Sequence, residues 1–354
     1  MFNKNIYIEI IGTGRTIPGV DAGFTMVSQE DFAMTYLSRE GKRNILKRKE
    51  GEPDPTWPEI QIEIKKAIDK IGFDKRPFFS CFVEELGTIS SVRCLENANF
   101  SAKDLDVIIG STNTNGAGYS DIASYVNAGL SKTNSHVGGT NNAWCFDVKG
   151  ACVGGLTALN VAIDLIGNGR YKNILIVAAE KTTTLAETDD WFSSNLFGDA
   201  GSAILVRASD KKHLIGSKFI SDPTNGKVDF ISCRSAKGKF QQNGQAVHKF
   251  VGTRVPFELI KAAEENDILK GLDHLVLHQP SKKTCELFKQ EIKDKWKQFK
   301  GTIHEELSMG NMSSASIYWI FAKLVEEGKI KKGQTVGFLS FGAGLQIGII
   351  FIKY

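Results

Sequence analysis

Three side chains in this sequence have the right chemistry to carry and activate an acyl group: Cys152, His278 and Asn311. Cys152 stands in "FDVKGACVGGLTALNVA" (146–162), among the small residues Gly150, Ala151, Gly154 and Gly155. Residues of that size permit a tight turn from strand into helix and close backbone packing. The run that follows, 153–166, is apolar nearly all round, the pattern of a buried helix. A thiol at the start of such a helix faces the positive end of the peptide dipoles, which favours the thiolate nucleophile. Cys81, Cys94, Cys145, Cys233 and Cys285 have no comparable setting and read as small buried hydrophobes.

His278 ends the apolar run of "LVLHQPS" (275–281), and Asn311 lies in "SMGNMSSAS" (308–316). Alone, each has an ordinary structural reading, as a strand-end histidine and as a turn or capping asparagine. Combined with Cys152 they suit acyl transfer coupled to carbanion generation. The thiolate accepts the acyl group while imidazole and carboxamide N–H groups donate to a thioester oxygen. Asparagine does not ionise, so it stays a donor at any working pH, which an aspartate would not. "LSFGAGLQIG" (339–348) adds a glycine-rich turn, Phe341, Gly342, Ala343 and Gly344, whose backbone N–H groups suit an oxyanion hole.

These residues need elements to hold them. Strand-like runs at 6–12, 106–112 and 173–179 alternate with helix-like stretches at 84–98 and 153–167, a βαβα rhythm that predicts α/β architecture. The segment 42–59, basic and then Pro-rich, reads as an irregular excursion. "LDVIIGSTN" (105–113) is echoed by "LDHLVLHQP" (272–280), and 150–177 by 310–339, with Cys152 opposite Met312 and Asn311 at the same elbow. Two copies of one half-domain, joined near "RASDKKH" (207–213), would bring both elbows and His278 together.

The 354 residues, 42 % hydrophobic and 24 % charged, describe a soluble globular chain with ample core. A net charge of +4 is too mild to argue for nucleic acid, and no apolar run reaches the roughly 18 residues of a membrane span. The start has no signal-peptide pattern and the cysteines form no CxxC pair, so a cytoplasmic, reduced protein without a metal site is expected.

In these motifs the chain resembles the β-ketoacyl-acyl-carrier-protein synthase III family of the thiolase superfamily. "IIGTGRTIP" (10–18), the cysteine elbow, "NLFGDAGSAILV" (195–206), "LVLHQPS", "GNMSSAS" (310–316) and "SFGAGLQIG" (340–348) match its motifs in order and spacing. The resemblance implies a thiolase-like fold: two pseudo-repeated βαβαβαββ halves, 1–206 and 207–354, in five layers (αβαβα), normally a homodimer. It implies Cys152 as acyl acceptor, His278 and Asn311 as the pair that stabilises an enolate after decarboxylation, and Phe341 to Gly344 as the loop beside the nucleophile. No cofactor is implied; thioesters of coenzyme A or phosphopantetheine are the substrates, in fatty acid or specialised-metabolite synthesis. A loop from the partner subunit reaches the acyl tunnel in that family, and the matching stretch here, 112–124, makes Tyr119 the candidate tunnel wall. The family's adenine-holding "EW…RTGI" stretch is not matched by 38–58, which leaves acyl-CoA and acyl-carrier protein both open as donor. An acyl-carrier protein is acidic, so Lys282 and Lys283 beside His278 are candidate docking residues, while the distal lysines of 281–300 read as a solvated helix face. The turn carries Ala343 where the family usually has glycine, which predicts altered loop geometry if a positive φ falls there. Two other readings remain: acyl transfer to a hydroxyl or amine with His278 as base, and a non-catalytic partner subunit or carrier-binding scaffold.

Overall fold

The computed structural model describes residues 7–115, 119–186, 188–222, 231–232 and 240–354. The chain opens with β1 (Tyr7–Arg15) and makes an excursion through β2 (Phe24–Ser28), α1 (Gln29–Thr35), α2 (Arg39–Ile45), α3 (Trp57–Ile71) and β3 (Lys75–Phe79). It resumes with α4 (Val83–Ala98), β4 (Val107–Ser111), α5 (Ile122–Lys132), β5 (Trp144–Asp147), α6 (Gly154–Gly167), β6 (Asn173–Glu180), a short α7 (Trp191–Ser194) and β7 (Ala200–Ser209). The second half runs β8 (Leu214–Ser221), a small ladder of β9 (Ile231–Ser232) and β10 (Gln241–Gln242), α8 (Gly244–Glu265), β11 (His274–Leu277), α9 (Lys282–Lys295), β12 (Thr302–His304), α10 (Ser316–Glu326), β13 (Thr335–Gly342) and β14 (Gln346–Lys353).

Two five-stranded sheets result, ordered β5-β4-β6-β7-β1 and β12-β11-β13-β14-β8. The orders superimpose when β1 is matched with β8, β4 with β11, β5 with β12, β6 with β13 and β7 with β14, so the repeat seen in the sequence is a repeat of topology. Alternation along each strand divides its side chains between two layers. On β6, Ile174 and Ile176 face a core shared with α6, α10 and the second sheet, while Leu175 and Val177 pack with α4 and α5. On the second sheet Val336 and Phe338 face the shared core, and Leu339 and Ile349 pack under α8 and α9. Helices α6 and α10 are therefore sandwiched between the sheets, giving the five-layer thiolase fold. At Gly155 a Cβ would lie 2.7 Å from the carbonyl oxygen of Ser314, so the two central turns meet only because that residue is glycine.

Three details differ from the sequence reading. Segment 42–59 begins inside α2 and ends inside α3, with loop only at 46–56. A Glu59 carboxylate accepting the Thr56 N–H at 2.8 Å, and Pro58 in the first turn, start α3 where composition suggests loop. The divide expected after residue 206 falls within β7, which runs through Ser209. The elbows align with a different offset: Ala151 and Ser313, both at φ 49°, open equivalent 3-10 turns, 151–153 and 313–315, leading into α6 and α10. Cys152 thus corresponds to Ser314 and not to Met312. The second elbow carries extra residues between Gly310 and its turn, and Asn311 is one of them. No helix among the described residues is long and apolar enough to cross a membrane.

Candidate active site

Cys152 is half-buried in the single turn that feeds α6. Its carbonyl accepts from Ser340 Oγ at 2.6 Å, which fixes the elbow to β13 of the other half. A Cβ on Gly342 would stand 2.8 Å from Cys152 Cβ and 3.1 Å from Sγ, so close approach demands glycine there. In the turn that follows, the positive φ falls on Gly344 (77°) and Leu345 (42°) and not on Ala343. The methyl group that the sequence places at 343 therefore imposes no left-handed strain.

Asn311 is stitched to the first half by its backbone. Its N–H donates to the Leu196 carbonyl at 2.7 Å, and its own carbonyl accepts from Gly198 N at 3.2 Å and Thr182 Oγ1 at 3.2 Å. Its side-chain Oδ1 accepts from Ser313 N at 2.9 Å, which leaves the Nδ2 end for the cavity. His278 follows β11, its N–H donating to the Leu339 carbonyl at 2.9 Å. The ring meets Phe341 edge-on at 5.5 Å, and Nδ1 lies 3.2 Å from Ser316 Oγ. Burial drives the pKa of this imidazole down to about 3, so the ring is neutral at physiological pH.

Cys152, His278 and Asn311 line one cavity of about 320 Å³, together with Phe341, Gly342 and Ala343. Gly344 lies past the lining, in the turn itself. Leu185, Phe197, Ile231, Phe240 and Val247 give the cavity apolar walls. Pro280 is also in the lining, and the exposed Lys282 and Lys283 open α9 just after it in the chain. Of the distal lysines, Lys289 pairs with Glu305 and Lys295 with Glu291, both at 2.6 Å. Tyr119 is fully exposed on the single chain and does not line this chain's own cavity; Gly116, Gly118 and Cys233 lie outside the described residues. Three arginines of 38–58 are held by nearby acceptors: Arg43 donates to the Glu52 carbonyl and to Asp54, each at 2.8 Å, Arg39 pairs with Asp54 and Arg48 with Glu59.

Sequence reasoning missed Ser313, Asn113 and Glu180. Glu180 ends β6 fully buried, with its pKa raised by burial against the pull of hydroxyl and amide donors. The signal was available: "NILIVAAE" places a carboxylate at the end of an otherwise apolar strand, and acidic groups are almost never buried unpartnered.

Comparison with known proteins points to one family. The 3-oxoacyl-[acyl-carrier-protein] synthase III model matches residues 146–223, and the model of that enzyme's C-terminal region matches 263–354. The β-ketoacyl-[acyl-carrier-protein] synthase III of Clostridium acetobutylicum is 26 % identical, the match covering 98 % of each chain. The chain is similar to the 3-oxoacyl-[acyl-carrier-protein] synthase III family in both halves. Among solved structures, the synthase III of Aquifex aeolicus superimposes with a TM-score of 0.79 at 21 % identity, covering 98 % of this chain and all of that one. The priming β-ketosynthase of the R1128 polyketide pathway gives 0.78 at 21 % identity, over 98 % of this chain and 96 % of its own. Likeness at that identity establishes the thiolase fold; the similarity to synthase III rests on the sequence models and relatives.

Proposed function

We propose that the protein is a decarboxylative thioester-condensing enzyme. The carrying observation is that thiol, imidazole and carboxamide from separate elements line one cavity together with apolar side chains. An acyl thioester loads onto Cys152: sulfur attacks the carbonyl, the new C–S bond forms and the donor thiol leaves. A malonyl-type thioester then binds with its carbonyl oxygen toward His278 and Asn311 Nδ2. Loss of CO2 leaves an enolate whose charge these donors stabilise. This step needs the His278 proton on Nε2, the tautomer in which Nδ1 accepts from Ser316 Oγ, 3.2 Å away. The enolate carbon attacks the acyl-enzyme, and the Cys152 thiolate departs.

The depressed pKa of His278 favours this reading over acyl transfer to a hydroxyl or amine, because an imidazole at about 3 is a weak general base. Lys282 and Lys283 are the surface at which an acidic carrier protein would dock. The exposed edge strand β5, with Trp144 exposed on it, supports a homodimer that extends this sheet.

Intact-protein mass spectrometry with a panel of acyl-CoAs and acyl-carrier proteins tests the assignment. Cys152→Ala should lose the acyl adduct altogether. Asn311→Ala should acylate as wild type yet release CO2 from a malonyl thioester about 10²–10³-fold more slowly, the usual effect of removing one oxyanion donor. An adduct that persists without Cys152 rejects the nucleophile; normal CO2 release without Asn311 rejects the condensation.

A further inference from the structure

The sulfur of Cys152 receives a hydrogen bond from the other half of the molecule. Ser313 Oγ lies 3.7 Å from Cys152 Sγ, placed as donor. Ser313 holds φ 49°, a conformation that non-glycine residues adopt infrequently and that clusters at functional sites when they do. Its elbow faces the one in which Ala151 has the same φ immediately before the thiol. A hydroxyl and a thiol are therefore presented to each other by pseudo-equivalent turns.

The direction of that hydroxyl is fixed from behind. Ser313 Oγ accepts from Asn113 Nδ2 at 3.1 Å, and the same amide nitrogen donates to Glu180 Oε1 at 2.7 Å. Both carboxyl oxygens of Glu180 accept from Asn113, Oε2 from its backbone N–H and Oε1 from its side chain, which holds the NH2 end of Asn113 toward the carboxyl group. Both amide hydrogens are then committed, and the Ser313 proton is left for the sulfur. Glu180 is in turn held by Ser314 Oγ at 2.6 Å, Thr114 Oγ1 at 3.0 Å and the Asn113 N–H at 3.0 Å. These contacts tie the loop after β4 to the Ser313 elbow.

We propose that Ser313 is a further catalytic residue, donating to the Cys152 thiolate and stabilising it as nucleophile, with Asn113 and Glu180 as the positioning residues that aim its hydroxyl. The inference rests on the assignment of Cys152 as the acyl acceptor. A hydrogen bond to sulfur is stronger when the sulfur is ionised. It adds to the helix dipole in favouring the anion at neutral pH.

The test is the pH dependence of Cys152 alkylation by iodoacetamide in the full-length protein, followed by peptide mapping so that other thiols do not contribute. In this reaction the thiolate forms an S–C bond and iodide leaves, the thiol proton having already passed to solvent. Ser313→Ala should move the midpoint of the rate profile upward by about one pH unit, with the alkaline plateau unchanged and the rate at pH 7 about tenfold lower. Ser313→Gly, which relaxes the positive φ, should show the same shift. Asn113→Ala should shift the midpoint in the same direction by less. A wild-type midpoint in either serine variant overturns the inference, as does a shift in the alanine variant alone, which would trace the effect to backbone strain. Acyl loading of wild type, measured in parallel, separates the two failures. If no thioester acylates Cys152 the functional reading falls, whereas normal loading with unshifted serine variants removes only Ser313.

Discussion

His278 shows how burial sets the chemistry of one side chain. Nothing cationic or anionic is needed to hold it neutral: desolvation alone puts its pKa at about 3, against about 6.5 for an imidazole in an unfolded chain. The sign of the linkage follows. Between pH 6.5 and 3 the unfolded state binds a proton that the folded state refuses, so stability is full above pH 6.5 and declines on acidification. One such group contributes at most about 1.4 kcal/mol per pH unit. Urea unfolding of His278→Asn should therefore lose less stability than wild type between pH 7.5 and 5, by on the order of 1–2 kcal/mol. Parallel declines in the two proteins would mean that the folded ring protonates normally and would remove the argument against a general-base role.

At the scale of elements, the site depends on how closely a strand end can approach a helix start. Gly342 closes β13 against the turn before α6, and an added Cβ would meet both the Cβ and the sulfur of Cys152. Gly167 closes α6 with open space around its missing Cβ. Two substitutions of the same type should thus have opposite results. Gly342→Ala is expected to slow acyl loading at least tenfold while far-ultraviolet circular dichroism is retained, because only the sulfur and its turn need move. Gly167→Ala should load normally and gain up to about 1 kcal/mol of stability in denaturant unfolding, from the reduced freedom of the unfolded chain. Equal loading by both variants would show that β13 and the elbow adjust to each other more freely than their contact suggests.

The whole molecule raises the question of how the apolar part of the cavity is closed. Within one chain it is walled by residues of both halves, while Tyr119 stands fully exposed on the same half as the edge strand β5. In the proposed dimer, Tyr119 is the candidate to reach the partner's cavity. Tyr119→Ala should then extend the range of acyl-CoA chain lengths that load onto Cys152, with the dimer intact by analytical ultracentrifugation. An unchanged chain-length profile in a dimeric variant would exclude Tyr119 from the tunnel.

Much of the candidate site is legible in the sequence alone. Cys152, His278 and Asn311 were marked by local sequence, a thiol among glycines at a buried helix start and polar residues at the ends of apolar runs. Local sequence carries those features because turn sterics and strand or helix period act over only a few residues. The topological repeat was also visible, since both halves obey the same alternation of apolar strands and helices. The offset between the elbows was not, because it depends on which residues adopt φ 49°, and neither alanine nor serine advertises that conformation. The hydrogen bond from Ser313 to the thiol spans 161 positions in sequence, and Glu180 reaches Ser314 across 134. Contacts of that range exist only once two sheets have closed on α6 and α10. The sequence by itself determined which residues could do the chemistry; packing of the two halves decided which of them face one another, and with which partners behind them.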